Sequence, residues 1–352
     1  MPISIVIGGQ FGSEGKGKVA YRWAARTGTQ MAVRVGGPNS GHTVQTGSIR
    51  TALRQLPTPA LREGTVSVLP PGSYVDIDVL LREVELVGAT PRTLMIDPFA
   101  AVVTERERKE ENSSELRERI GSTASGTGAA VARRVRRDGT LVRAGEISEL
   151  KPFICDTLTA IRQALNEERH IIVEGTQGYG LSLLHGGYGD YATSRDTTAA
   201  GALSEVGVSP LDVEEVVLVI RAFPIRVAGN SGPLPGEIDW ATVGALSGQK
   251  DVQEFTTVTG KIRRVATFDA DIVCRAIAAN NPTHIVLNHV DYIADLSSPS
   301  GRRTAAAFIA SVEERIGRRV DLIGVSPSDM ISRSDVRKWD ISHAWALVNR
   351  VC

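Results

Sequence analysis

The sequence has little cysteine, no long apolar run and no excess of charge of either sign, and each of these features excludes a class of protein. Its 352 residues include three cysteines and no C-x-x-C pair, which fits a reducing compartment and no disulfide framework. No stretch approaches the ~20 apolar residues of a membrane helix. Lysine plus arginine and aspartate plus glutamate each number 40, so the formal net charge is zero. We therefore expect a cytoplasmic protein that binds neither nucleic acid nor membranes.

Glycine is the one residue in excess, with 35 copies, many of them in short loops after apolar runs. Apolar runs predict strands at residues 3–7, 31–35, 93–96, 170–173, 213–220 and 285–287. Amphipathic segments predict helices at residues 16–26, 75–86, 104–119, 150–168, 268–280 and 304–316. This alternation is typical of an α/β fold with a mostly parallel central sheet and flanking helices. We predict a single domain over residues 1–352, with a mobile insertion at about 119–143.

The first loop contains five glycines and two lysines between residues 8 and 18. Glycines let the backbone approach an anion closely, and the helix that follows offers free amides and a positive dipole end. The segment nevertheless differs from a P-loop, because Gly9 lies one residue too far from Gly15 and Lys16 is followed by Gly17. The hydroxyl that would bind Mg²⁺ in a P-loop is therefore missing. The pattern predicts a phosphate-binding loop of another kind.

Five ordered segments of the chain resemble the adenylosuccinate synthetase family. The first resembles the family signature G-x-Q-W-G-D-E-G-K-G-K, the second its G-x-N-A-G-H-T, and the fourth its V-T-S-S-N-T-T. In chain order they are 9–18 (GQFGSEGKGK), 37–43 (GPNSGHT), 174–178 (EGTQG), 192–198 (ATSRDTT) and 259–264 (TGKIRR). The resemblance covers most of the chain and implies that family's α/β fold, which is related to P-loop NTPases.

The resemblance also implies a reaction. The family phosphorylates the 6-oxo group of a purine nucleotide with a nucleoside triphosphate, and the amine of L-aspartate then displaces phosphate. Positioning and charge neutralisation dominate such phosphoryl transfer. By resemblance the cofactor is Mg²⁺, and the enzyme is a homodimer in which Arg137 reaches the neighbouring site. The basic segment around Arg137 has an alternative interpretation, a solvated helix face.

The resemblance assigns roles to residues that match the family motifs. The catalytic residues are Ser13, Lys16, His42 and Gln177. The triphosphate is expected at Gly12, Glu14, Gly15, Lys16, Gly17, Gly41, His42, Thr43, Asn288 and Asp291. The monophosphate nucleotide is expected at Ser13, Asn39, Ser122, Thr123, Arg137, Gln177, Thr193 and Val227. L-Aspartate is expected at Thr257, Val258, Thr259, Gly260, Lys261 and Arg263, and the metal at Ser13 and Gly41.

The largest departure from the family pattern is Ser13, which stands where the family has an aspartate. That aspartate is the base that removes the purine N1 proton, and a serine hydroxyl is too weak an acid to replace it. A small neutral side chain would suit a purine with an extra amine at C2. Serine here is characteristic of the 2-aminoadenylosuccinate synthetase branch, which is mostly viral and condenses dGMP with aspartate. This branch is our main interpretation, and it would place the enzyme in a host cytoplasm.

Two further departures concern the other substrates. The family's T-G-R is Thr259-Gly260-Lys261 here, so the arginine that reaches aspartate and the ribose 2′-hydroxyl is a lysine. A lysine lacks the planar fork of arginine, and a deoxyribose needs that contact less. The segment that recognises the GTP base contains His289 in place of a lysine but keeps Asp291. We expect ATP or dATP as the phosphate donor, although Asp291 favours GTP.

Two other functions are compatible with these residues. One is an ordinary adenylosuccinate synthetase that uses IMP and GTP with an unusual base. The other is a non-catalytic nucleotide-binding regulator, against which Lys16 and His42 argue. Segments 34–50 and 119–137 are glycine-rich and would have to close on charged ligands, so we expect ligands to order them.

Overall fold

A long sheet organises the chain, of which the computed structural model describes residues 3–249, 251–256, 260–336 and 339. Sixteen strands are present in this part of the chain. In chain order they are β1 (Ile3–Gly8), β2 (Met31–Arg34), β3 (His42–Thr46), β4 (Ile49–Leu53), β5 (Val66–Leu69), β6 (Tyr74–Val75), β7 (Leu94–Ile96), β8 (Ala101–Val102), β9 (Ile171–Glu174), β10 (Val213–Arg221), β11 (Ile225–Arg226), β12 (Glu237–Ile238), β13 (Arg264–Ala266), β14 (His284–Asn288), β15 (Leu322–Gly324) and β16 (Met330–Ser332).

Nine of these strands form the central sheet, in the order β16-β15-β14-β10-β1-β9-β2-β5-β7. Every neighbouring pair is parallel except β15 and β16. β1 lies in the middle, where Ile5 faces Val173 on one side and Val216 on the other. The prediction of a mostly parallel α/β sheet is confirmed. The carboxyl ends of parallel strands share one edge, which is where such sheets bind ligands.

Eleven α-helices flank the sheets in the described part of the chain. They are α1 (Lys16–Thr27), α2 (Ile77–Val87), α3 (Glu105–Ser113), α4 (Leu116–Ile120), α5 (Thr127–Arg136), α6 (Thr157–Asn166), α7 (Ala199–Val206), α8 (Trp240–Ser247), α9 (Ala270–Asn280), α10 (Pro299–Ile316) and α11 (Arg333–Val336). Short 3₁₀ turns lie at Thr58–Leu61, Ala144–Glu146, Ser148–Phe153, Tyr179–Leu181, Gly189–Tyr191, Pro210–Asp212 and Val290–Tyr292. No described helix is both long and apolar enough to span a bilayer.

The side chains of β1 point alternately to two apolar layers. Ile5 and Ile7 pack with residues of α6, α7, α9 and α10 on one face of the sheet. Val6 packs with Val19 and Trp23 of α1 on the other face. All six residues of β1 are buried, as expected for a strand that is covered by helices on both sides. This burial explains why the sequence shows a continuous apolar run there.

The predicted helix at 104–119 is wrong, because the structure divides it into α3 and α4. Glu115, between them, has φ of 53°, and the hydroxyls of Ser113 and Ser114 bond back to backbone carbonyls of α3. Such bonds compete with helix continuation. The helix is also less exposed than its charge predicts. Glu107 and Glu111 are buried, and Glu111 accepts hydrogen bonds from three amides at the start of α5.

The predicted helix at 150–168 is wrong in its first third. A 3₁₀ turn containing Pro152 ends at Phe153, and α6 starts only after Asp156. Proline has no amide hydrogen and clashes with a preceding helical turn. Asp156 then caps the new helix by accepting a hydrogen bond from the Thr159 amide at 3.1 Å.

Several elements were not predicted at all, and one of them positions a candidate catalytic residue. The hairpin of β3 and β4 begins with His42, and α1 contacts it closely through Gly17. A β-carbon on Gly17 would lie 2.8 Å from that of His42. The antiparallel sheet β11-β13-β12 was missed because its strands have only two or three residues. Within 119–143, residues Thr127–Arg136 form α5; the mobility of this segment stays a prediction.

Candidate active site

The glycine-rich loop leaves β1 at Gly8 and enters α1 at Lys16. Gly12 and Gly15 have φ of 91° and 87°, values that residues with a side chain rarely adopt. Gly15 is the N-cap of α1 and offers no side-chain cap, so the first amides of the helix stay free for an anion. Close packing also limits this position, since a β-carbon on Gly15 would lie 2.7 Å from Nδ2 of Asn288.

Glu14 shapes this loop from the inside. Its side chain is fully buried, and one carboxylate oxygen accepts hydrogen bonds from the amides of Gln10 (3.1 Å) and Gly12 (2.8 Å). The other oxygen accepts one from Nζ of Lys16 at 2.7 Å. The carboxylate therefore holds Lys16 and the loop amides in one arrangement. Lys16 is 2% exposed, so its charge is held in a desolvated position.

His42 and Glu174 form a buried pair, which we did not predict from the sequence beyond His42 itself. Nδ1 of His42 lies against Oε1 of Glu174, and Nη1 of Arg34 donates to the same oxygen at 2.9 Å. The amide and hydroxyl of Thr58 donate to Oε2 at 2.7 and 2.8 Å. Each carboxylate oxygen of Glu174 therefore has two hydrogen-bond partners, which hold the carboxylate in one orientation.

This network assigns the tautomer of His42. Both Arg34 and Nδ1 converge on one carboxylate oxygen, so Nδ1 carries the proton and Nε2 is left for a ligand. Burial and the nearby charge of Arg34 lower the pKa of His42 to about 3. Burial alone would raise the pKa of Glu174, but His42 and Arg34 lower it. The protein without ligands therefore holds a neutral imidazole beside an ionised carboxylate.

Ser13 lies in the glycine-rich loop, and Gln177 lies beside this loop at Gly12. Gln177 follows β9 with φ of 65°, and a β-carbon on Gly12 would lie 3.7 Å from its Oε1. Ser13 is exposed and also left-handed, with φ of 59°. Its carbonyl accepts a hydrogen bond from Nη1 of Arg221 at 2.8 Å. The structure therefore places Gln177 beside Gly12, the neighbour of Ser13 in the chain.

The residues expected to bind the base of the nucleoside triphosphate lie near the loop that leads into α1. Asn288 ends β14 and donates from Nδ2 to the Glu14 carbonyl at 2.8 Å, while its buried Oδ1 has no partner within the described residues. Burial raises the pKa of Asp291. Burial also lowers the pKa of Lys18, to about 8, against the opposing charges of Asp291 and Asp329. His289 is left-handed, with φ of 60°.

The segment expected to bind L-aspartate is a hairpin with arms Glu254–Thr256 and Gly260–Arg263. The Arg263 amide donates to the Glu254 carbonyl at 2.8 Å, and the Thr256 amide donates to the Lys261 carbonyl at 2.9 Å. Lys261 is exposed and Arg263 is half-buried. The predicted residues Thr257, Val258 and Thr259 lie outside the described residues.

The residues expected at the monophosphate are spread over several loops. Ser122 and Thr123 are half-buried in the loop before α5. A β-carbon on the adjoining Gly121 would lie 3.2 Å from Val227. Thr193 donates its amide to the Leu181 carbonyl at 2.7 Å. Between β2 and β3, Asn39 is also half-buried. The same holds for Gly41 and Thr43, which we expect at the triphosphate.

Arg137 differs from the other arginines of its segment. It is exposed and left-handed at the C-terminal end of α5, with φ of 56°. Arg133 is 2% exposed and pairs with Glu107 and Glu110 at 2.6 Å each. Arg134 donates to the carbonyls of two neighbouring loops. The alternative of a solvated basic helix face therefore does not hold for Arg133, whereas Arg136 and Arg137 are exposed, and the role of Arg137 stays a prediction.

A buried ion pair lies beneath the glycines that follow β2. Arg195 is 9% exposed and pairs with Glu205 of α7. A β-carbon on Gly36 would overlap Nη1 of Arg195, so glycine is required there. Burial raises the pKa of Glu205 to about 7 in spite of Arg195 and Arg134, which act in the opposite direction. Sequence reasoning missed this pair because the family motif has other residues at 195 and 196.

The raised pKa of Glu205 predicts a pH-dependent stability. A carboxyl group whose pKa is higher in the folded state stabilises fully below its unfolded value, and this contribution is lost as the pH rises through 7. We expect Glu205 to remove about 3 kcal/mol from the free energy of unfolding between pH 4.5 and 8. Urea titrations of the wild type and Glu205→Gln across this range measure it. In Glu205→Gln the decline should disappear, and in Glu237→Gln, whose carboxyl has a lowered pKa, it should persist.

The donor set of the site fits Mg²⁺ in the way the resemblance implies. Among the described residues, no group of three or more His, Cys, Asp or Glu side chains could hold a metal alone. Ser13 and Gly41 offer a hydroxyl and a carbonyl, which are the hard oxygen donors that Mg²⁺ takes together with substrate phosphates. The site thus suits a metal that arrives with the triphosphate.

Comparisons with known proteins agree with this geometry. The family model "Adenylosuccinate synthetase" matches residues 5–149 and 144–298. The adenylosuccinate synthetase of Methanococcus aeolicus is 35% identical in an alignment of 336 residues that covers 93% of this chain and 97% of that protein. The adenylosuccinate synthetase of Thermococcus onnurineus is 35% identical in an alignment of 348 residues that covers 95% of this chain and 99% of that protein.

Solved structures share the fold. The fully ligated adenylosuccinate synthetase of Plasmodium falciparum superposes with a TM-score of 0.82 at 20% identity, covering 94% of this chain and 99% of that one. The succinoaminodeoxyadenylate synthetase (PurZ) of cyanophage S-2L, bound to dGMP and to dATP as energy donor, has a TM-score of 0.81 at 30% identity. That match covers 96% of this chain and 98% of that one.

The sequence motifs, the parallel sheet and the relatives therefore lead to one assignment. The relatives are ligases that form a C–N bond at the expense of a nucleoside triphosphate, and they match nearly the whole chain. The chain belongs to the adenylosuccinate synthetase family and is an enzyme of this type.

Proposed function

We propose that this enzyme is a 2-aminoadenylosuccinate synthetase. Its substrates are dGMP, L-aspartate and ATP or dATP, and its products are the 2-amino-deoxyadenylosuccinate, the nucleoside diphosphate and phosphate. The observation that carries the proposal is Ser13, the neutral residue at the position where the family has its base. The likeness to the phage enzyme bound to dGMP and dATP supports it.

The reaction has two steps. In the first, the γ-phosphoryl group moves to the 6-oxygen of the purine, between the amides at the start of α1 and Nζ of Lys16. Its bond to the β-phosphate breaks, the nucleoside diphosphate leaves, and the N1 proton passes to water or phosphate, since Ser13 cannot act as a base. Arrival of this anion beside His42 raises the pKa of its imidazole, so that Nε2 can share a proton with the 6-oxygen. In the second, the amine of L-aspartate attacks C6, phosphate leaves, and the C–N bond forms.

Other residues orient the ligands. Gln177 and Ser13 face the purine, and Ser122, Thr123, Asn39, Thr193 and Val227 surround the nucleotide phosphate and sugar. Arg137 of one subunit reaches the phosphate of the other in a homodimer. Ser13 and Gly41 would hold Mg²⁺, which would neutralise phosphate charge when bound.

An ordinary adenylosuccinate synthetase is the second candidate, and Asp291 favours it. A carboxylate there could accept the N–H groups of guanine in GTP, and the archaeal relatives are adenylosuccinate synthetases. Phosphate release separates the two functions when dGMP or IMP is combined with ATP or GTP, L-aspartate and Mg²⁺. Release with dGMP and not with IMP supports the proposal. Release with IMP alone would overturn it.

Substituting Ser13→Asp tests the specificity directly. Aspartate is enriched among residues with positive φ, so the backbone at this position should tolerate it. Its larger, charged side chain should take the space of the 2-amino group and restore a base for N1. We expect kcat/KM for dGMP to fall at least about tenfold and activity with IMP to rise.

The control for this experiment is Ser13→Ala. It removes only the hydroxyl and should weaken dGMP use without creating IMP use. Equal use of dGMP by the Ser13→Asp variant and the wild type would contradict the assigned role of Ser13.

A further inference from the structure

Glu254 connects two of the loops that surround the reacting groups. We infer that Glu254 is a positioning residue, which holds Ser13 and Arg263 in their working positions through the buried Arg221. The inference rests on the proposed function, because it uses the expected roles of Ser13 at the purine and of Arg263 at L-aspartate.

Arg221 ties Glu254 to the glycine-rich loop. It ends β10, and its side chain is fully buried. Nη1 donates to the Ser13 carbonyl at 2.8 Å, and both terminal nitrogens face the Glu254 carboxylate. Gln10 adds two hydrogen bonds to the backbone of Arg221, at 2.9 and 3.2 Å. The left-handed conformation of Ser13 is therefore held by a side chain whose own position depends on Glu254.

The same carboxylate holds the other loop. Nη1 of Arg263 lies 3.0 Å from Oε2 of Glu254, and the two residues face each other across the arms of the hairpin. The indole of Trp240 also fixes this arm by donating to the Arg263 carbonyl at 2.7 Å. Arg263 thus has one guanidinium nitrogen engaged by Glu254, and the fork is pre-oriented for a further carboxylate.

The electrostatics show that Glu254 stays ionised between these arginines. Burial alone would raise the pKa of Glu254, but Arg221 and then His289 outweigh burial, and the pKa lies far below its usual range. The negative charge of Glu254 adds to burial in raising the pKa of Tyr292. Without this carboxylate, the buried guanidinium group of Arg221 and the half-buried one of Arg263 would repel each other. Because no counter-charge would remain between them, these two side chains would move apart.

The test replaces Glu254 by Gln in the full chain. The amide keeps the shape but loses the charge, so Arg221 and Arg263 should separate. We expect KM for L-aspartate to rise and kcat to fall, each by about tenfold or more, while KM for the triphosphate changes by less than about twofold. Steady-state phosphate release measures these values, with whichever purine monophosphate the wild type uses.

The matched control is Glu237→Gln. Glu237 makes the equivalent pair with the adjacent Arg264, at 2.6 Å, but contacts neither loop. It should leave KM for L-aspartate and kcat unchanged. A purely structural role of Glu254 would lower kcat through loss of folded enzyme and leave every KM as it was, and this result would overturn the inference. If Glu254→Gln does not fold, Arg221→Lys takes its place, with the same shifts expected.

Failure of the proposed function gives a different result. A wild type that uses IMP and not dGMP overturns the proposed substrate, and the Glu254 comparison then proceeds with IMP. If the wild type turns over neither, calorimetric titration with L-aspartate decides. Weaker binding by Glu254→Gln than by the wild type would support the positioning role, and equal binding would overturn it.

Discussion

Substituting Lys16→Met is expected to lower kcat by about 10³-fold or more, and to lower the thermal unfolding temperature because the buried Glu14 carboxylate loses its counter-charge. Lys16 is almost fully buried at the start of α1, where Glu14 neutralises its charge at 2.7 Å. A charge preorganised in a site without water stabilises the charge that develops in the transition state far more than an exposed one. Rapid-quench measurement of phosphoryl transfer in a single turnover checks this expectation, since it isolates the chemical step from product release.

Lys18→Met is the matched control, because it removes a second buried lysine from the same helix. Lys18 donates to the Ser326 carbonyl at 2.8 Å and lies near Asp291, on the side of the triphosphate base. The Lys18→Met variant should have a higher KM for the triphosphate than the wild type and a kcat close to that of the wild type. Equal kcat losses in both variants would show that the loop needs any buried lysine, and would remove Lys16 from the phosphoryl-transfer step.

The second large effect is expected at the pair of His42 and Glu174. His42→Asn should lower kcat by about 10²- to 10⁴-fold, the usual contribution of a positioned acid or base. Glu174→Gln should lower kcat by a similar factor, because an amide can donate to Nδ1 and turn the imidazole to the wrong tautomer. The kinetic parameters of both single variants and of the double variant measure this dependence. The double variant should be no slower than His42→Asn alone.

Thr58→Val is the control for this pair. It removes the hydroxyl that lies 2.8 Å from the other oxygen of Glu174 and 2.9 Å from the Gly17 carbonyl, and it leaves the contact with His42 in place. The Thr58→Val variant should have a lower free energy of unfolding than the wild type and a kcat close to that of the wild type. Strictly additive effects of His42→Asn and Glu174→Gln would mean that the two residues act separately, contrary to the geometry of the pair.

Local sequence was sufficient for the parts of this enzyme that depend on neighbouring residues. The buried strands β1, β9, β10 and β14 appear as apolar runs because helices cover both faces of the sheet. The glycine-rich loop is visible because its conformation needs glycine at positions such as Gly12 and Gly15, whose φ is positive. The family assignment followed from these segments, and the relatives agree with it.

The secondary-structure predictions were wrong where a local sequence pattern was outweighed by another interaction. The charge of residues 104–119 predicted one exposed helix, but Ser113 and Ser114 end α3, and Glu111 is buried against the start of α5. The strands β11, β12 and β13 are too short to show alternation. Pro152 had a clear signal, the missing amide hydrogen, that could have divided the predicted helix at 150–168.

What the sequence determined by itself was the family and the positions of the main strands along the chain, and it also predicted Lys16 and His42 as catalytic residues, because each of these is encoded within a few adjacent residues. Only the tertiary structure decided which distant carboxylates hold His42 and Arg221. Glu174 lies 132 residues from His42, and Glu254 lies 33 residues from Arg221. Hydrogen bonds and ion pairs depend on the separation of atoms in space, and no periodicity of the chain records which distant residues the sheet brings to one edge.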